Sequence, residues 1–192
     1  MEREGSTSAR KHAMPRTEFA LWMMPREPLR SQLQKMIRQL AAALDAVEFE
    51  PHITVFAGPS TNTEAHEIAT RIAKRFEPIE AIAEKVDYGE VYTKTVFVQF
   101  RESPALRQMH ELARSSFTQP SNYQLNPHLS LVYKKMAEAE KQELCRRIRL
   151  PMGNYLFDAI QMVETEVPIE EPGPIKRLRI VSDAKLGPVR NS

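Results

Sequence analysis

Two short segments share one pattern: residues 51–55 read PHITV and residues 127–131 read PHLSL. In each segment a histidine follows a proline, and a hydroxyl residue lies two positions after the histidine. Side chains alternate between the two faces of a strand, so His52 and Thr54 share one face while their apolar neighbours point to the other. Proline cannot donate to a central ladder, which suits the position just before a strand. The pattern therefore predicts two strands, each with an apolar face and a histidine–hydroxyl face.

The two motifs belong to a longer internal repeat. His52 and His128 are 76 residues apart, and the same 76 residues separate Thr54 from Ser130. That offset, without any gap, also relates Pro28 to Pro104, Pro51 to Pro127, Phe19 to Thr95, and Ile79 to Tyr155. Agreement at so many positions indicates a duplicated structural unit.

Hydrophobic periodicity predicts the elements of this unit. Apolar residues recur every three to four positions in segments that predict helices, and alternate in segments that predict strands. The predicted helices span residues 28–46, 61–77, 104–117 and 138–149. The predicted strands span residues 19–23, 52–56, 79–88, 95–100, 126–133, 155–164 and 175–182. Apart from the last strand, each half of the chain has the order β-α-β-α-β.

This order predicts an α+β fold with two lobes related by a pseudo-twofold axis. Each lobe covers a sheet with helices, so that the two sheets face a central groove and the helices lie outside. The lobes are expected at about residues 19–90 and 93–182, and the strand 175–182 closes the second lobe. Equivalent strands then meet across the groove, which places His52 and His128 on opposite sides of one ligand.

A single domain is expected over residues 17–182, with flexible segments at residues 1–16 and 183–192. The length of 192 residues suits one domain with a sizeable core. No apolar run approaches the roughly 18 residues of a membrane-spanning helix. The only cysteine, Cys145, excludes an internal disulfide and favours a reducing compartment. We therefore expect a cytoplasmic protein without a membrane anchor, and we also expect a monomer.

The body of the chain is close to neutral. The formal charge is +2, but residues 1–16 hold four Lys/Arg and two Glu, and residues 183–192 hold two Lys/Arg and one Asp. The remaining residues therefore carry a charge of about −1. A long nucleic acid requires an extended basic surface, which this balance does not favour. A small nucleotide or a single RNA terminus is the expected partner.

Two histidine–hydroxyl pairs facing one groove suit phosphodiester chemistry. Histidine has an unperturbed pKa near 6.5, so two imidazoles can serve as a general acid and a general base near neutrality. Small hydroxyl groups can hold phosphate oxygens. One histidine takes a proton from the attacking water, and the other protonates the departing ribose oxygen. No metal or cofactor is required, and the five histidines show no spacing typical of zinc ligands.

The motifs PHITV and PHLSL resemble the paired H-x-T/S-x motifs of the 2H phosphoesterase superfamily. The resemblance covers about residues 19–182 and is closest to the cyclic phosphodiesterase branch. It implies hydrolysis of 2′,3′-cyclic nucleotides to 2′-phosphates and hydrolysis of ADP-ribose 1″,2″-cyclic phosphate. It also implies a role in RNA metabolism, in which the enzyme acts on by-products of tRNA splicing. It also implies that His52 and His128 are catalytic. Thr54 and Ser130 then hold the nonbridging phosphate oxygens.

The same resemblance suggests four substrate-binding residues. FALWMMP is similar to the first strand of the branch, with its Trp-x-x-Pro ending, so Trp22 either borders the substrate pocket or packs in the core. Tyr133 lies five residues after His128, where the family has an aromatic residue that contacts the nucleotide. YGEVYTKTVFVQF resembles the segment between the lobes, from which Tyr92 and Lys94 are expected to reach the ligand. The closing segment PIKRLRIV lacks a tryptophan often seen there, which leaves one wall of the pocket undefined.

Two alternatives to a cyclic phosphodiesterase remain open. One is an RNA-end processing or 2′-5′ RNA ligase-like enzyme, which requires a more basic surface than the sequence indicates. The other is a noncatalytic module that binds phosphate or RNA, which the two intact motifs do not favour. Phosphate-binding loops of the types GxxxxGK[ST] and GxGxxG do not occur, so nucleoside triphosphate hydrolysis and dinucleotide redox chemistry are not expected.

Overall fold

The computed structural model describes residues 16–187, which form seven strands and five α-helices. The strands are β1 (Arg16–Pro25), β2 (Ile53–Gly58), β3 (Ile79–Tyr88), β4 (Val96–Phe100), β5 (His128–Val132), β6 (Gly153–Val167) and β7 (Arg179–Lys185). The helices are α1 (Leu29–Leu44), α2 (Asn62–Arg75), α3 (Pro104–Ser116), α4 (Glu138–Arg147) and α5 (Pro172–Lys176). A short 3₁₀ turn, Tyr92–Lys94, precedes β4.

Helices α1, α2 and α3 each have an apolar stripe, and α2 and α3 also have a side-chain cap at the N-terminus. In α1 the buried residues are Leu33, Ile37 and Ala41, which recur every four positions and so lie on one face. In α2 the Thr61 side chain accepts a hydrogen bond from the Glu64 amide, and in α3 Ser103 caps the helix in the same way. Such caps satisfy amide groups that have no partner within the helix.

The strands pair antiparallel throughout, and the pairing exchanges strands between the two repeats. Each first strand pairs with the second strand of its own repeat, β1 with β2 and β4 with β5. The third strands cross over, because β3 pairs with β4 and β6 pairs with β1. All seven strands belong to one sheet in the order β1-β2-β5-β4-β3-β6-β7, in which β1 also pairs with β6. The division at residues 19–90 and 93–182 therefore does not correspond to two separate sheets. A short connection of residues 89–95 joins β3 to β4, and short connections favour antiparallel neighbours.

The pseudo-twofold relation holds for the helices as well as for the strands. Helix α1 packs against β5 of the other repeat, and α3 correspondingly packs against β2. Helix α2 packs against β6, and α4 packs against β3. The two repeats meet where Ile53 of β2 lies opposite Leu129 of β5. The predicted α+β fold with two related halves around a common centre is thus confirmed.

The repeat is not free of gaps, as the strand registers show. Trp22 lies opposite Thr54, and Phe97 lies opposite Ser130, so the first strands are offset by 75 residues (97 minus 22) while the second strands keep 76 (130 minus 54). The 76-residue offset therefore pairs Phe19 with Thr95, which lies one position beyond the structural equivalent of Phe19. Sequence spacing alone did not reveal this shift because one residue is absorbed in the loops.

Each histidine–hydroxyl strand carries an irregularity at the same place. In β2 the register passes from Phe56 to Thr54 against consecutive residues of β1, so Val55 is unpaired. In β5 the register passes from Val132 to Ser130, so Leu131 is unpaired. These bulges lie directly after the hydroxyl residues, and bulges commonly re-aim side chains beside functional sites.

The end of the chain differs from the sequence-based prediction. Residues Pro172–Lys176 form a helical turn, since prolines suit its first positions, and the last strand begins at Arg179 instead of residue 175. Strand β7 continues to Lys185, and the buried Leu186 donates a backbone hydrogen bond to Asp158. Residues 183–187 are therefore part of the fold. The flexibility predicted for residues 1–15 and 188–192 lies outside the described residues.

No helix within the described part of the chain is long and apolar enough to cross a membrane.

Candidate active site

A cavity of about 200 Å³ lies where the two repeats meet, and it brings both histidine–hydroxyl pairs together. Its lining includes Trp22, His52, Thr54, Thr93, Tyr123, His128, Ser130, Tyr133, Thr165, Val167, Ile169, Ile175 and Leu178. Three surface depressions have larger volumes, about 520, 550 and 610 Å³, but none of them is lined by His52 or His128. The chemistry of the lining, and not the volume, therefore identifies this central cavity as the candidate site.

The first imidazole is fixed by its position just ahead of β2. His52 Nδ1 lies 2.6 Å from the backbone oxygen of Glu50. A carbonyl oxygen only accepts hydrogen bonds, so Nδ1 carries the proton and Nε2 is the unprotonated nitrogen of the neutral ring. The ring stacks on Trp22, with centroids 3.6 Å apart and planes inclined by 8°. Phe49 meets the ring edge-on at 6.5 Å.

The second imidazole repeats this arrangement at the start of β5. His128 Nδ1 lies 2.7 Å from the backbone oxygen of Asn126, which is the counterpart of Glu50 in the repeat. The same argument assigns the proton to Nδ1 and leaves Nε2 unprotonated. Phe97 contacts the ring edge-on, with centroids 5.5 Å apart and planes at 75°. Both histidines thus have a fixed tautomer with an unprotonated Nε2.

Burial keeps both imidazoles neutral in the free protein. Desolvation lowers the pKa of His52 to about 3, against the opposing effect of its hydrogen bond to Glu50, and the charge of His128 lowers it further. Desolvation also lowers the pKa of His128, its hydrogen bond to Asn126 opposes the shift, and the charge of Lys94 adds to it. An anionic ligand between the rings favours the protonated form of one of them.

The two hydroxyl groups are held differently. Ser130 Oγ donates to the backbone oxygen of Thr93 at 2.7 Å. Within residues 16–187 the Thr54 hydroxyl has no hydrogen-bond partner, although Tyr123 fixes the Thr54 backbone by donating to its carbonyl oxygen at 2.8 Å. The Thr54 hydroxyl can therefore donate to a ligand directly. The Ser130 hydroxyl must first break its hydrogen bond to the backbone oxygen of Thr93.

The aromatic residues predicted from the resemblance, Trp22 and Tyr133, both line the cavity. Trp22 is only 8% exposed and supports His52, so it serves both the core and the site. Tyr133 stacks on Phe49 with centroids 3.7 Å apart, and burial raises the pKa of its phenol.

The other two predicted substrate-binding residues do not line the central cavity. Tyr92 is buried and belongs to the wall of the depression of about 610 Å³. Lys94 Nζ lies 4.3 Å from the centroid of the Phe97 ring, a cation–π contact, and burial lowers the pKa of its amine. Lys94 thus acts on His128 through its charge and not as part of the lining.

One wall of the cavity was not anticipated from the sequence. Ile169, Ile175 and Leu178 come from the segment between β6 and β7, which follows the repeat and has no counterpart in it. The resemblance leaves this wall undefined, and the composition of the Glu170–Pro174 run is typical of a solvated turn. The only available signal was the pair of isoleucines that flank this polar run, because an apolar residue in such a loop needs a partner surface.

The residues of the site offer no set of metal ligands. Within residues 16–187 no group of three or more His, Cys, Asp or Glu side chains is placed to hold a metal ion. Independence from metal remains a prediction that an activity assay must test.

Comparison with known proteins identifies the family of the chain. The family described as "Cyclic phosphodiesterase-like protein" matches residues 17–180. A cyclic phosphodiesterase of Arabidopsis thaliana is 24% identical over 125 residues, which are 65% of this chain and 69% of that relative.

Solved structures share the fold at low sequence identity. Apo LigT of E. coli has a TM-score of 0.56 and 13% identity, covering 89% of this chain and 98% of LigT. TT0787 of Thermus thermophilus has a TM-score of 0.59 and 14% identity, covering 90% and 100%. LigT complexed with 3′-AMP has a TM-score of 0.55 and 14% identity, covering 88% and 98%. Since the family match spans nearly all of the described residues, the chain belongs to the cyclic phosphodiesterase-like family of 2H phosphoesterases.

Proposed function

We propose that the protein hydrolyses nucleoside 2′,3′-cyclic phosphates to 2′-phosphates without a metal ion, and that ADP-ribose 1″,2″-cyclic phosphate is a second substrate. The observation that carries the proposal is the convergence of two imidazoles and two hydroxyls on one small cavity. The Arabidopsis relative is named a cyclic phosphodiesterase. LigT has been crystallised with 3′-AMP, which supports a ligand of nucleotide size.

The proposed reaction moves two protons while one bond forms and one breaks. Nε2 of a neutral histidine takes a proton from water as the water oxygen bonds to phosphorus. The bond between phosphorus and the ribose 3′ oxygen breaks, and the other histidine gives that oxygen a proton. The hydroxyl of Thr54 donates to a nonbridging oxygen, and Ser130 joins it after turning from Thr93. Positioned proton transfer contributes about 10²- to 10⁴-fold to such a step.

The unequal environments suggest the role of each histidine. Burial lowers the pKa of His52 to about 3, so His52 stays neutral and suits the base. His128 is less completely enclosed and protonates more readily when the anionic phosphate is bound, so it suits the acid. Breaking the bond to the 3′ oxygen then requires that oxygen to face His128.

Alanine variants test the two-histidine mechanism. His52→Ala and His128→Ala are each expected to lower kcat on adenosine 2′,3′-cyclic phosphate by at least about 100-fold, since each removes one proton transfer. His66→Ala is the matched control, because His66 is exposed on α2 and is expected to leave kcat unchanged. Circular dichroism establishes that the variants fold. Wild-type rates in both site variants would discard the mechanism.

A substrate panel and a chelator test the remaining parts. Phosphorus NMR is expected to show the phosphate on the 2′ oxygen, and turnover is expected to persist in excess EDTA. Loss of activity in EDTA that zinc restores would indicate a metal-dependent reaction. Faster turnover of a tRNA-half terminus than of the cyclic mononucleotide would favour RNA-end processing, and tight binding without product would favour a binding module.

A further inference from the structure

A second depression, of about 610 Å³, adjoins the central cavity. The loop of residues 89–95, the segment after β5 and the segment after β6 form its walls. Thr93, Val167 and Ile169 line both the depression and the cavity. A ligand that leaves the cavity past these three residues therefore enters the depression. We refer to it as the lysine depression, because Lys134, Lys135 and Lys141 line it.

The three lysines differ in how far their charge is already neutralised. Lys141 is 2% exposed, and its ammonium lies 2.5 Å from the Glu90 carboxylate, so this pair is internally balanced. Lys134 donates to the backbone oxygen of Leu44, which carries no full charge. Lys135 is exposed and forms no ion pair or side-chain hydrogen bond within residues 16–187. In this part of the chain, two ammonium charges thus remain without a carboxylate partner.

The depression contains one further carboxylate, Glu170, so its charge is positive overall. The depression of about 520 Å³, on α3, differs in this respect. Its arginines Arg107 and Arg114 are already paired with Glu102 and Glu111. Of the two depressions, the lysine depression is therefore the one that offers uncompensated cations, and it is also the one that adjoins the candidate site.

Chain connectivity links these cations to the phosphate-holding residue. Lys134 and Lys135 follow Ser130 on the segment that leaves β5. At about 3.3 Å per residue of extended chain, the Cα atoms of Ser130 and Lys135 are at most about 17 Å apart. Both lysines therefore leave β5 on the same chain segment that carries Ser130, within five residues of it.

We propose that the lysine depression binds a second phosphate of the substrate, the one on the 5′ side of the nucleotide whose cyclic phosphate is hydrolysed. The proposal rests on the proposed function for the location of the first phosphate. Lysine binds phosphate as a flexible point charge, which tolerates either a terminal 5′-phosphate or a 5′ diphosphate bridge. Substrates that carry a 5′ phosphate in addition to the cyclic phosphate are then preferred over a nucleoside cyclic phosphate.

Binding of two product nucleotides tests this preference by calorimetry. Adenosine 2′,5′-bisphosphate is expected to bind the wild-type protein about tenfold more tightly than adenosine 2′-phosphate. This preference corresponds to about threefold for each of Lys134 and Lys135, the two lysines without a carboxylate partner within residues 16–187. Lys135→Glu is expected to bring the ratio of the two Kd values to about 1, because one attraction becomes a repulsion. Lys135→Arg keeps the charge and is expected to keep the preference.

A matched control separates local from general electrostatics. Lys35→Glu makes the same charge change on α1, where Lys35 is exposed and unpaired within residues 16–187, and is expected to leave the ratio near tenfold. Equal Kd values in the wild-type protein, or a preference that survives Lys135→Glu, would overturn the inference. Turnover of adenosine 2′,3′-cyclic phosphate is measured separately. Absent turnover contradicts the proposed function, whereas the Kd ratio alone decides the inference.

Discussion

The two halves of the central cavity have the same hydrogen bonds but different neighbours. In each half a histidine Nδ1 donates to the carbonyl oxygen two residues before it, at 2.6 Å for His52 and 2.7 Å for His128. Trp22 covers the face of the first ring, whereas Phe97 meets the second ring with its edge. His52 is 6% exposed, and His128 is more accessible. The duplication therefore gives both histidines the same tautomer, and the different side-chain contacts give the two rings different proton affinities.

The hydroxyl groups extend this contrast. Ser130 donates its proton to the Thr93 carbonyl, whereas Thr54 keeps its proton available for a ligand within the described part of the chain. The first half is thus prepared to donate to a phosphate, and the second half must exchange one hydrogen bond for another. A symmetric scaffold in this way provides an asymmetric site, which a reaction with distinct entering and leaving oxygens requires.

The largest expected effect concerns the pH dependence of the two histidine variants. A base at His52 needs the neutral form, which is present above its pKa of about 3, and an acid at His128 needs the protonated form, which its lowered pKa confines to pH below about 6.5. The wild-type kcat/KM is therefore expected to be highest at mildly acidic pH. Both His128→Ala and His52→Ala are expected to retain activity that is at least about 100-fold lower. In the pH–rate profile of this residual activity, His128→Ala is expected to lose the decrease at alkaline pH, and His52→Ala the decrease at acidic pH.

Two further measurements sharpen this assignment. The alkaline limb of kcat is expected at higher pH than that of kcat/KM, because bound phosphate raises the pKa of His128. Lys94→Met is expected to move the alkaline limb of kcat/KM upward as well, since the charge of Lys94 lowers the pKa of His128. An alkaline limb that persists in His128→Ala but disappears in His52→Ala would reverse the two roles.

A smaller difference is expected between the hydroxyl variants. Thr54→Val is expected to lower kcat/KM by about 10- to 100-fold, because a hydrogen bond to a charged group contributes about 1.5–3 kcal/mol. Ser130→Ala is expected to cost less, about tenfold or below, since the Ser130 hydroxyl must first give up its bond to Thr93. Steady-state kinetics on one cyclic nucleotide compares the two variants. An equal or larger loss in Ser130→Ala would show that the contrast between the hydroxyls has no functional consequence.

Local patterns in the sequence were sufficient to predict the two histidine–hydroxyl faces and the elements up to β6, but not helix α5. Strand β3 begins and ends at the predicted residues, Ile79 and Tyr88. Ile53 and Val55 are fully buried, as alternation required. These features depend on periodicity within a few residues, which a single sequence displays directly.

Partner choice between strands could not be predicted in the same way. Pairing of β3 with β4 and of β6 with β1 depends on contacts between distant segments, and periodicity carries no information about them. The wall formed by Ile169, Ile175 and Leu178 has the same origin, since it lies outside the repeat. The assignment of Lys94 to the ligand was incomplete for a related reason, because its ammonium is held on the Phe97 ring.

The smallest expected effect is on the free energy of unfolding. It tests the burial of His52 separately from the role of His52 in catalysis. The unfolded state protonates His52 below pH 6.5, but the folded state does not until about pH 3, so stability is lost as pH falls between these values. Between pH 7 and pH 5 this histidine is expected to reduce the free energy of unfolding by about 2 kcal/mol. Urea unfolding of the wild-type protein and of His52→Asn at both pH values gives the difference. His66→Asn, at an exposed position on α2, is expected to retain the full loss. If His52→Asn loses as much stability as the wild-type protein, His52 is not held neutral by burial, and the proposed difference between the two halves would have to rest on the hydroxyl groups alone.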